Sequence, residues 1–194
     1  MRIVVVGANG TLGAAVAADL GAEHEVVGVS RRTEPGVDLE DPASLDALFR
    51  AVPGAGAVVC CAASGPLLDL MGAGDAEFAA GLRGKLLGQV ALARRAFAEL
   101  PDGGSVTLTG GTFAEPLPGG SLGALVNAGL EGFVTNAAAE LPRGLRLNLI
   151  APGWIRESLV AAGLDTAGGT PAADVARHFR SCVEGDHNGR VIRA

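Results

Sequence analysis

An apolar strand that leads into three evenly spaced glycines opens this chain and limits what it can fold into. Residues 3–6 are a β-branched run, which is typical of a strand buried on both faces. Gly7, Gly10 and Gly13 follow it, and the pattern of residues 14–20 predicts a helix. Because glycine has no Cβ, such a turn bends sharply and lets a pyrophosphate approach the amides that open the next helix. The opening therefore predicts a dinucleotide-binding site.

Strand and helix patterns alternate along the rest of the chain. The 194 residues have room for one well-buried core, so we expect one domain over residues 1–194 that binds NAD(P). The alternation predicts an α/β fold, a doubly wound, Rossmann-like parallel sheet of about seven strands with helices on both faces. Predicted strands cover 3–6, 25–30, 37–39, 57–63, 106–109, 145–150 and 190–193, and predicted helices cover 14–20, a segment from Pro42, 75–100, 122–140 and 171–183.

Charge and composition exclude several classes of protein. The formal net charge of −6 argues against nucleic acid or an anionic membrane as a partner, since either requires a basic surface. No apolar run approaches the ~20 residues that span a bilayer, and the start lacks a secretory leader, so we expect a cytoplasmic protein. The three cysteines form neither a disulfide framework nor a metal-ligand spacing, and no metal site is predicted.

The end of the second predicted strand indicates which dinucleotide is bound. An NAD site carries an Asp or Glu there for the ribose hydroxyls, whereas this chain has Ser30, Arg31 and Arg32. A guanidinium pairs with a phosphate or stacks on a flat ring, which favours NADP over NAD. The alternative is a solvated pair of arginines after a strand.

Five segments together resemble the short-chain dehydrogenase/reductase family, nearly from end to end. GANGTLG at 7–13 has a spacing found in that family, and VDLED at 37–41 resembles its adenine-contacting region. CCAA at 60–63 lies where the family has an Asn-Asn-Ala-Gly turn. GLRLNLIAPG at 144–153 resembles the strand and turn beside the nicotinamide, and NGRVIR at 188–193 resembles the last strand.

The resemblance implies a set of cofactor-binding residues. Asp38 would lie near the adenine amino group, and Trp154 would either wall the nicotinamide side or cover core. The implied cofactor-binding residues are Gly7, Asn9, Gly10, Thr11, Leu12, Gly13, Arg31, Arg32, Asp38, Leu39, Cys61, Ala62, Ala63, Pro152, Gly153 and Ile155.

The catalytic residues of the family are all replaced. Its reduction uses a tyrosine as proton donor, with a lysine, a serine and an asparagine around it, while the nicotinamide delivers hydride. The serine position corresponds to Gly110, the tyrosine and lysine positions to Gly123 and Asn127, and the asparagine position to Lys85. The chain contains no tyrosine at all. Catalytic residues are therefore unknown from the resemblance.

A few nearby side chains are candidates for the missing roles. Lys85, the only lysine, could face the ribose or the substrate carbonyl, or mark the solvent side of its helix. Thr109 and Thr112 are better hydrogen-bonding orienters than acids. Glu115 could be a general acid if its loop buries it, or could simply be solvated. Asn127 is the remaining candidate for one of these roles.

The function expected is that of an NAD(P)-dependent oxidoreductase. NADPH-linked reduction of a carbonyl compound would take its proton from water or an unconventional donor, and the expected substrate is a small carbonyl compound or alcohol. The alternative is an inactive NADP-binding sensor or regulatory protein. Family members pair through the helices at 75–100 and 122–140, so we expect a homodimer or homotetramer, unless the small residues there pack only within the subunit.

Overall fold

A parallel sheet forms the centre of the computed structural model, which describes residues 1–62, 65 and 67–194. In these residues the sheet has six strands in the order β2-β1-β3-β4-β5-β6, and every pairing is parallel. The predicted doubly wound, Rossmann-like α/β fold is confirmed. The strands are β1 (Arg2–Val6), β2 (Glu25–Val29), β3 (Ala57–Cys60), β4 (Ser105–Thr109), β5 (Arg146–Ala151) and β6 (Val191–Arg193).

Helices cover the sheet and begin close to the predicted positions. Asp41 caps α2 by accepting a hydrogen bond from the Ala43 amide at 2.9 Å, and Pro42 is the first helical residue, as predicted. No helix among the described residues is long and apolar enough to cross a membrane. The helices are α1 (Thr11–Leu20), α2 (Pro42–Ala51), α3 (Asp75–Leu82), α4 (Gln89–Glu99), α5 (Ser121–Ala137), α6 (Arg156–Ala161) and α7 (Ala172–Glu184).

Both faces of the sheet are buried, which explains the β-branched run of β1. Val4 and Val6 point into a core shared with α2, α4 and α5. Ile3 and Val5 point the other way, into a core shared with α1 and α7. Since successive side chains of a strand alternate between faces, each half of the run fills one core.

The predicted strand at 37–39 is wrong, and the sheet has six strands in the described residues rather than about seven. Among the described residues, the only pairing there is a single parallel bridge between Ser30 and Gly36, where the Val37 amide donates to the Ser30 carbonyl at 2.9 Å. The pairing stops after this bridge because the chain turns toward α2. Asp38 instead belongs to the turn that leads into α2, where its backbone exchanges hydrogen bonds with the Ser44 hydroxyl.

The helix predicted at 75–100 is interrupted by a π-helical segment. Residues Arg83–Gly88 form this segment between α3 and α4. π-Helical turns are rare in proteins, and those that occur are often found at functional sites. Lys85 lies in the middle of it.

The strand order reverses next to β1. The chain passes from β1 to β2 on one side, and β3 then pairs with β1 on the other side. Ligands of open α/β sheets bind at the carboxyl ends of strands beside such a switch point. Gly7 follows β1 and Cys61 follows β3, so the glycine turn lies there.

Candidate functional site

The three glycines of the opening turn serve different purposes. A Cβ on Gly7, whose φ is 86°, would lie 2.7 Å from the Ala62 amide nitrogen. A Cβ on Gly13 would collide with the carbonyl of Gly7. At Gly10 the only neighbour would be the Gly7 carbonyl oxygen at 3.4 Å, an ordinary contact. Packing therefore requires Gly7 and Gly13, while the space beside Gly10 is open to a ligand.

The amino end of α1 offers backbone donors beside this open space. The amides of Thr11, Leu12 and Gly13 have no acceptor among the residues that the structure describes, and Gly10 caps the helix without a side chain. Free amides and the helix dipole together favour an anion. Asn9 ties the turn to β2, since its amide nitrogen donates to the Ser30 hydroxyl at 3.0 Å.

Two cations stand next to that turn. Arg31 and Arg32 are exposed, and neither guanidinium makes an ion pair or hydrogen bond within the described part of the chain. The Ser30 hydroxyl between them and Asn9 also accepts the Arg32 amide at 3.1 Å. The arrangement can accept an anionic group on a ribose, since both forks are free to pair with it.

The remaining implied cofactor residues lie along the same edge of the sheet. Leu39 packs over Gly88, where a Cβ would come within 2.7 Å of the leucine. The Asp38 carboxylate accepts the Glu40 amide at 3.0 Å. Ala63 lies outside the described residues. Cys61 and Ala62 follow β3, and Pro152, Gly153 and Ile155 follow β5.

The cysteine thiols are not reactive groups. Burial raises the pKa of the Cys60 thiol to about 12, and it raises the pKa of the Cys61 thiol as well. A thiol that stays protonated is a poor nucleophile. Cys60 and Cys61 therefore have a structural role, as expected for adjacent residues whose side chains point to opposite faces of a sheet.

Lys85 of the π-helical segment and Asn127 of α5 meet within one helical layer, near the carboxyl end of β4. The Lys85 ammonium donates to the Asn127 side-chain oxygen at 3.0 Å. Gly111 lies against both, because a Cβ there would be 3.3 Å from the Asn127 amide nitrogen and 3.5 Å from Lys85 Nζ. Burial lowers the pKa of Lys85 to about 8. The amine can therefore give up a proton near neutral pH.

Gln89 holds the π-helical segment in place, and sequence reasoning missed it. Its fully buried amide nitrogen donates to the carbonyls of Lys85 and Thr109, each at 2.8 Å. Its oxygen accepts the Thr109 amide at 2.9 Å. The side chain thus ties the backbone of Lys85 to the end of β4. A glutamine four residues after the lysine was the available signal.

Gly123, which the resemblance aligns with the family's tyrosine, lies against an aromatic ring. A Cβ on Gly123 would be 3.0 Å from the ring of Phe113. Phe113 in turn packs on Trp154, with ring centroids 6.4 Å apart and planes at 46°. At Gly110, which the resemblance aligns with the serine, a Cβ would meet the Leu149 side chain at 3.2 Å. Neighbouring side chains therefore occupy the space beside both glycines.

Two further candidates are placed differently from expectation. Thr109 is buried, and its hydroxyl donates to the Cys60 carbonyl at 2.5 Å, so this residue stabilises the sheet and does not line the cavity. Glu115 is exposed, so the burial on which its expected role as a general acid depended is absent. Thr112 and Asn127 do line a cavity beside the loop after β4.

Comparison with known proteins agrees with this geometry. Residues 2–186 match a short-chain dehydrogenase model described as enoyl-(acyl carrier protein) reductase. The chain belongs to the short-chain dehydrogenase/reductase family. The protein lin1944 from Listeria innocua is 32% identical in sequence, with a TM-score of 0.94 over 100% of this chain and 99% of that one.

Two more distant family structures share the fold. A small-chain dehydrogenase in complex with NADPH is 23% identical, with a TM-score of 0.86 over 100% of this chain and 96% of that chain. A short-chain dehydrogenase from Burkholderia cenocepacia J2315 in complex with NADP is 22% identical, with a TM-score of 0.83 over 99% and 95%. A search of curated proteins found no match.

Proposed function

We propose that this family member is an NADPH-linked oxidoreductase that reduces a small carbonyl compound to an alcohol. The bound cofactor would supply hydride to the carbonyl carbon. The turn from Gly7 to Gly13 and the amino end of α1 would hold the pyrophosphate, and Pro152, Gly153 and Ile155 would flank the nicotinamide. Structures of similar proteins with NADPH and NADP support this assignment.

The observation that carries the proposal is the Lys85 and Asn127 pair. An ammonium whose pKa is about 8 is a suitable general acid near neutral pH. Lys85 would donate a proton to the carbonyl oxygen as hydride arrives at the carbon, and it would recover that proton from water. Asn127 would orient the amine through the 3.0 Å hydrogen bond, and Thr112 would orient the substrate oxygen.

The unpaired guanidiniums of Arg31 and Arg32 support NADP over NAD. Titration calorimetry with NADPH and NADH measures this preference. Replacing both arginines by alanine is expected to weaken NADPH binding at least tenfold more than NADH binding, because only NADPH carries the 2′-phosphate. Arg94→Ala on α4 is the matched control. An unchanged preference for NADPH contradicts the assignment.

Turnover tests the reaction itself. NADPH oxidation is followed with a panel of aldehydes and ketones, and Lys85→Met is expected to lower kcat about 100-fold while leaving NADPH affinity within a factor of about three. A normal kcat in Lys85→Met contradicts the role of this amine.

The glycines at the serine and tyrosine positions favour a second candidate function, that of an NADP sensor. A sensor binds NADPH and NADP⁺ with different affinities and shows no turnover on any substrate in the panel. Calorimetry gives both affinities. The activity measurement separates the two functions, because only an oxidoreductase oxidises NADPH with a substrate of the panel.

We also propose a cytoplasmic homodimer or homotetramer formed through the helical segments at 75–100 and 122–140. Gly129 packs against Leu86 within the subunit, so part of the small-residue surface is used internally. Leu87 and Leu125 remain 56% and 49% exposed, and these are the side chains available for a second copy. Light scattering on the eluting protein measures the mass, and a monomer contradicts the proposal.

A further inference from the structure

The cavity beside the Lys85 and Asn127 pair is lined mainly by apolar residues, with a few polar groups among them. Its volume is about 420 Å³, within the ~300–1,000 Å³ usual for small-molecule sites. Thr112, Ser121 and Asn127 supply neutral polar atoms, and Glu115 and Glu131 supply carboxylates. The apolar lining consists of Phe113, Ala114, Pro116, Leu117, Ala124 and Ala128. A largely apolar substrate with one carbonyl group matches this lining.

Large apolar side chains continue from the cavity to the surface. Trp154, which packs on Phe113, is 47% exposed. Leu67 lies against the loop after β4, since a Cβ on Gly119 would be 3.1 Å from its Cβ, and it is 53% exposed. Aromatic faces at a site entrance bind flat rings. The apolar body of the substrate therefore has a surface to stack on outside the cavity as well.

The loops at this end of the sheet are acidic. We name the segments 67–74, 110–120 and 152–170, which follow β3, β4 and β5, the substrate loops. Their one basic residue is Arg156. Their carboxylates are those of Asp69, Glu115, Glu157 and Asp165. No ion pair neutralises these four carboxylates among the described residues, although the Glu157 carboxylate accepts the Ala172 amide at 2.9 Å.

Charge at the cofactor end has the opposite sign. Arg31 and Arg32 are free cations there, whereas Glu131 in the cavity wall is paired with Arg193 at 3.0 Å. Two like charges repel over about a Debye length in salt, roughly 10 Å at 0.1 M. Among the described residues, the cavity lining holds the carboxylates of Glu115 and Glu131 and no lysine or arginine. A polyanionic substrate, such as a thioester of coenzyme A or of an acidic carrier protein, would therefore meet carboxylates there and no basic group to bind it.

We infer that the substrate is a free, uncharged carbonyl compound with a flat apolar body, and not a thioester of coenzyme A or of a carrier protein. This inference rests on the proposed carbonyl reduction, and it separates this chain from the enoyl-(acyl carrier protein) reductase description of the model that it matches.

A matched pair of ketones tests the inference. 2-Acetylnaphthalene and 6-acetyl-2-naphthoic acid share the ring and the carbonyl and differ by one carboxylate. We expect the uncharged ketone to bind at least about tenfold more tightly at 20 mM salt, and the ratio to fall at 0.5 M salt because screening weakens repulsion. Kd is measured by calorimetry with and without NADP⁺, and kcat/KM by NADPH oxidation.

Charge-reversing variants locate the effect. Glu115→Lys in the substrate loops is expected to reduce the ratio of the two affinities at least threefold. Glu99→Lys changes the same charge at the end of α4, toward the amino edge of the sheet, and is expected to leave the ratio unchanged. Crotonyl thioesters of coenzyme A and of a carrier protein are expected to cause no NADPH oxidation.

Three results would overturn the inference: equal or tighter binding of the carboxylated ketone, turnover of either thioester, or no binding of either ketone. Failure of the proposed function is seen separately, as an absence of heat with NADPH or as an absence of NADPH oxidation with every aldehyde and ketone of the panel. Because the ketone affinities are also measured without cofactor, they test the substrate class even in that case.

Discussion

The cofactor end and the reacting end of the proposed site are built from different parts of the chain. At the cofactor end, backbone amides of α1 and tightly packed glycines form the binding surface, and a Cβ on Gly7 or Gly13 would strike backbone atoms. At the reacting end, the groups are side chains on two facing helical segments, Lys85 and Asn127. Backbone binding sites tolerate little change, whereas side chains can be exchanged when the geometry is kept.

The resemblance suggests a specific exchange at the reacting end. It aligns the family's lysine with Asn127 and its asparagine with Lys85, and on that alignment the two residue types have traded places. The polar atoms of the two side chains are 3.0 Å apart, so an amine carried by either helix would reach nearly the same location. Chemistry depends on where a group lies and not on its place in the chain. The proton donor of this chain can therefore differ while the cofactor end is retained.

The largest effect is expected where backbone packs on backbone. Gly13→Ala would force the α1 helix away from the Gly7 carbonyl. We expect the free energy of unfolding to fall by about 3 kcal/mol or more, and the free energy of NADPH binding to weaken by a similar amount. Denaturant unfolding and calorimetry measure both. Gly132→Ala is the control, since a Cβ there has no neighbour within 4 Å and alanine favours the helix by about 0.5–1 kcal/mol. Equal stability of the two variants would contradict the packing argument.

Exchanging the pair tests whether the amine can be carried by either helix. Lys85→Asn alone is expected to lower kcat about 100-fold, because the proton donor is removed. Adding Asn127→Lys should raise kcat at least tenfold above that of Lys85→Asn, since the new amine would reach the same space. Asn127→Lys alone is the control, and it places two amines side by side. A double variant no better than Lys85→Asn shows that the amine functions only from the π-helical segment.

The pH dependence of stability reports the buried amine directly. The pKa of Lys85 is lowered to about 8 in the folded protein from 10.5, so above pH 8 the unfolded chain holds a proton that the folded chain has lost. Stability then rises with pH up to about 10.5. Relative to Lys85→Met, the unfolding free energy should increase by about 2 kcal/mol from pH 7 to pH 10. Chemical denaturation across this range measures the difference, and a flat difference means that the amine is well solvated.

Gly10 provides the smallest and most selective test. Gly10→Ala adds a methyl group that meets only the Gly7 carbonyl oxygen at 3.4 Å, so the melting temperature should stay within about 2 °C. NADPH affinity should fall about tenfold, which corresponds to ~1.4 kcal/mol, because the methyl group occupies the open space beside α1. A loss of stability without a loss of affinity would assign Gly10 to packing, as for Gly7 and Gly13.

Local patterns predicted most of the fold. The β-branched runs, the Asp41 and Pro42 helix start and the glycine turn each fix a local conformation, and all were found where expected. The predicted strand at 37–39 was wrong because Asp38 belongs to the turn before α2, where it exchanges hydrogen bonds with Ser44, and apolar content does not reveal that turn. The π-helical segment was missed because a buried glutamine stabilises it from within the core, a long-range interaction that no periodicity reveals.

The sequence by itself determined the turn that fits a dinucleotide, the arginines beside it and the absence of tyrosine, since each follows from residue type within a few positions. Only the tertiary structure decided that Thr109 is buried, that Glu115 is exposed and that Phe113 fills the space above Gly123. It alone brought Lys85 to Asn127 across 42 positions of the chain. The physical reason is that burial lowers the pKa of an amine and selects its partner, and burial is a property of packing between distant segments.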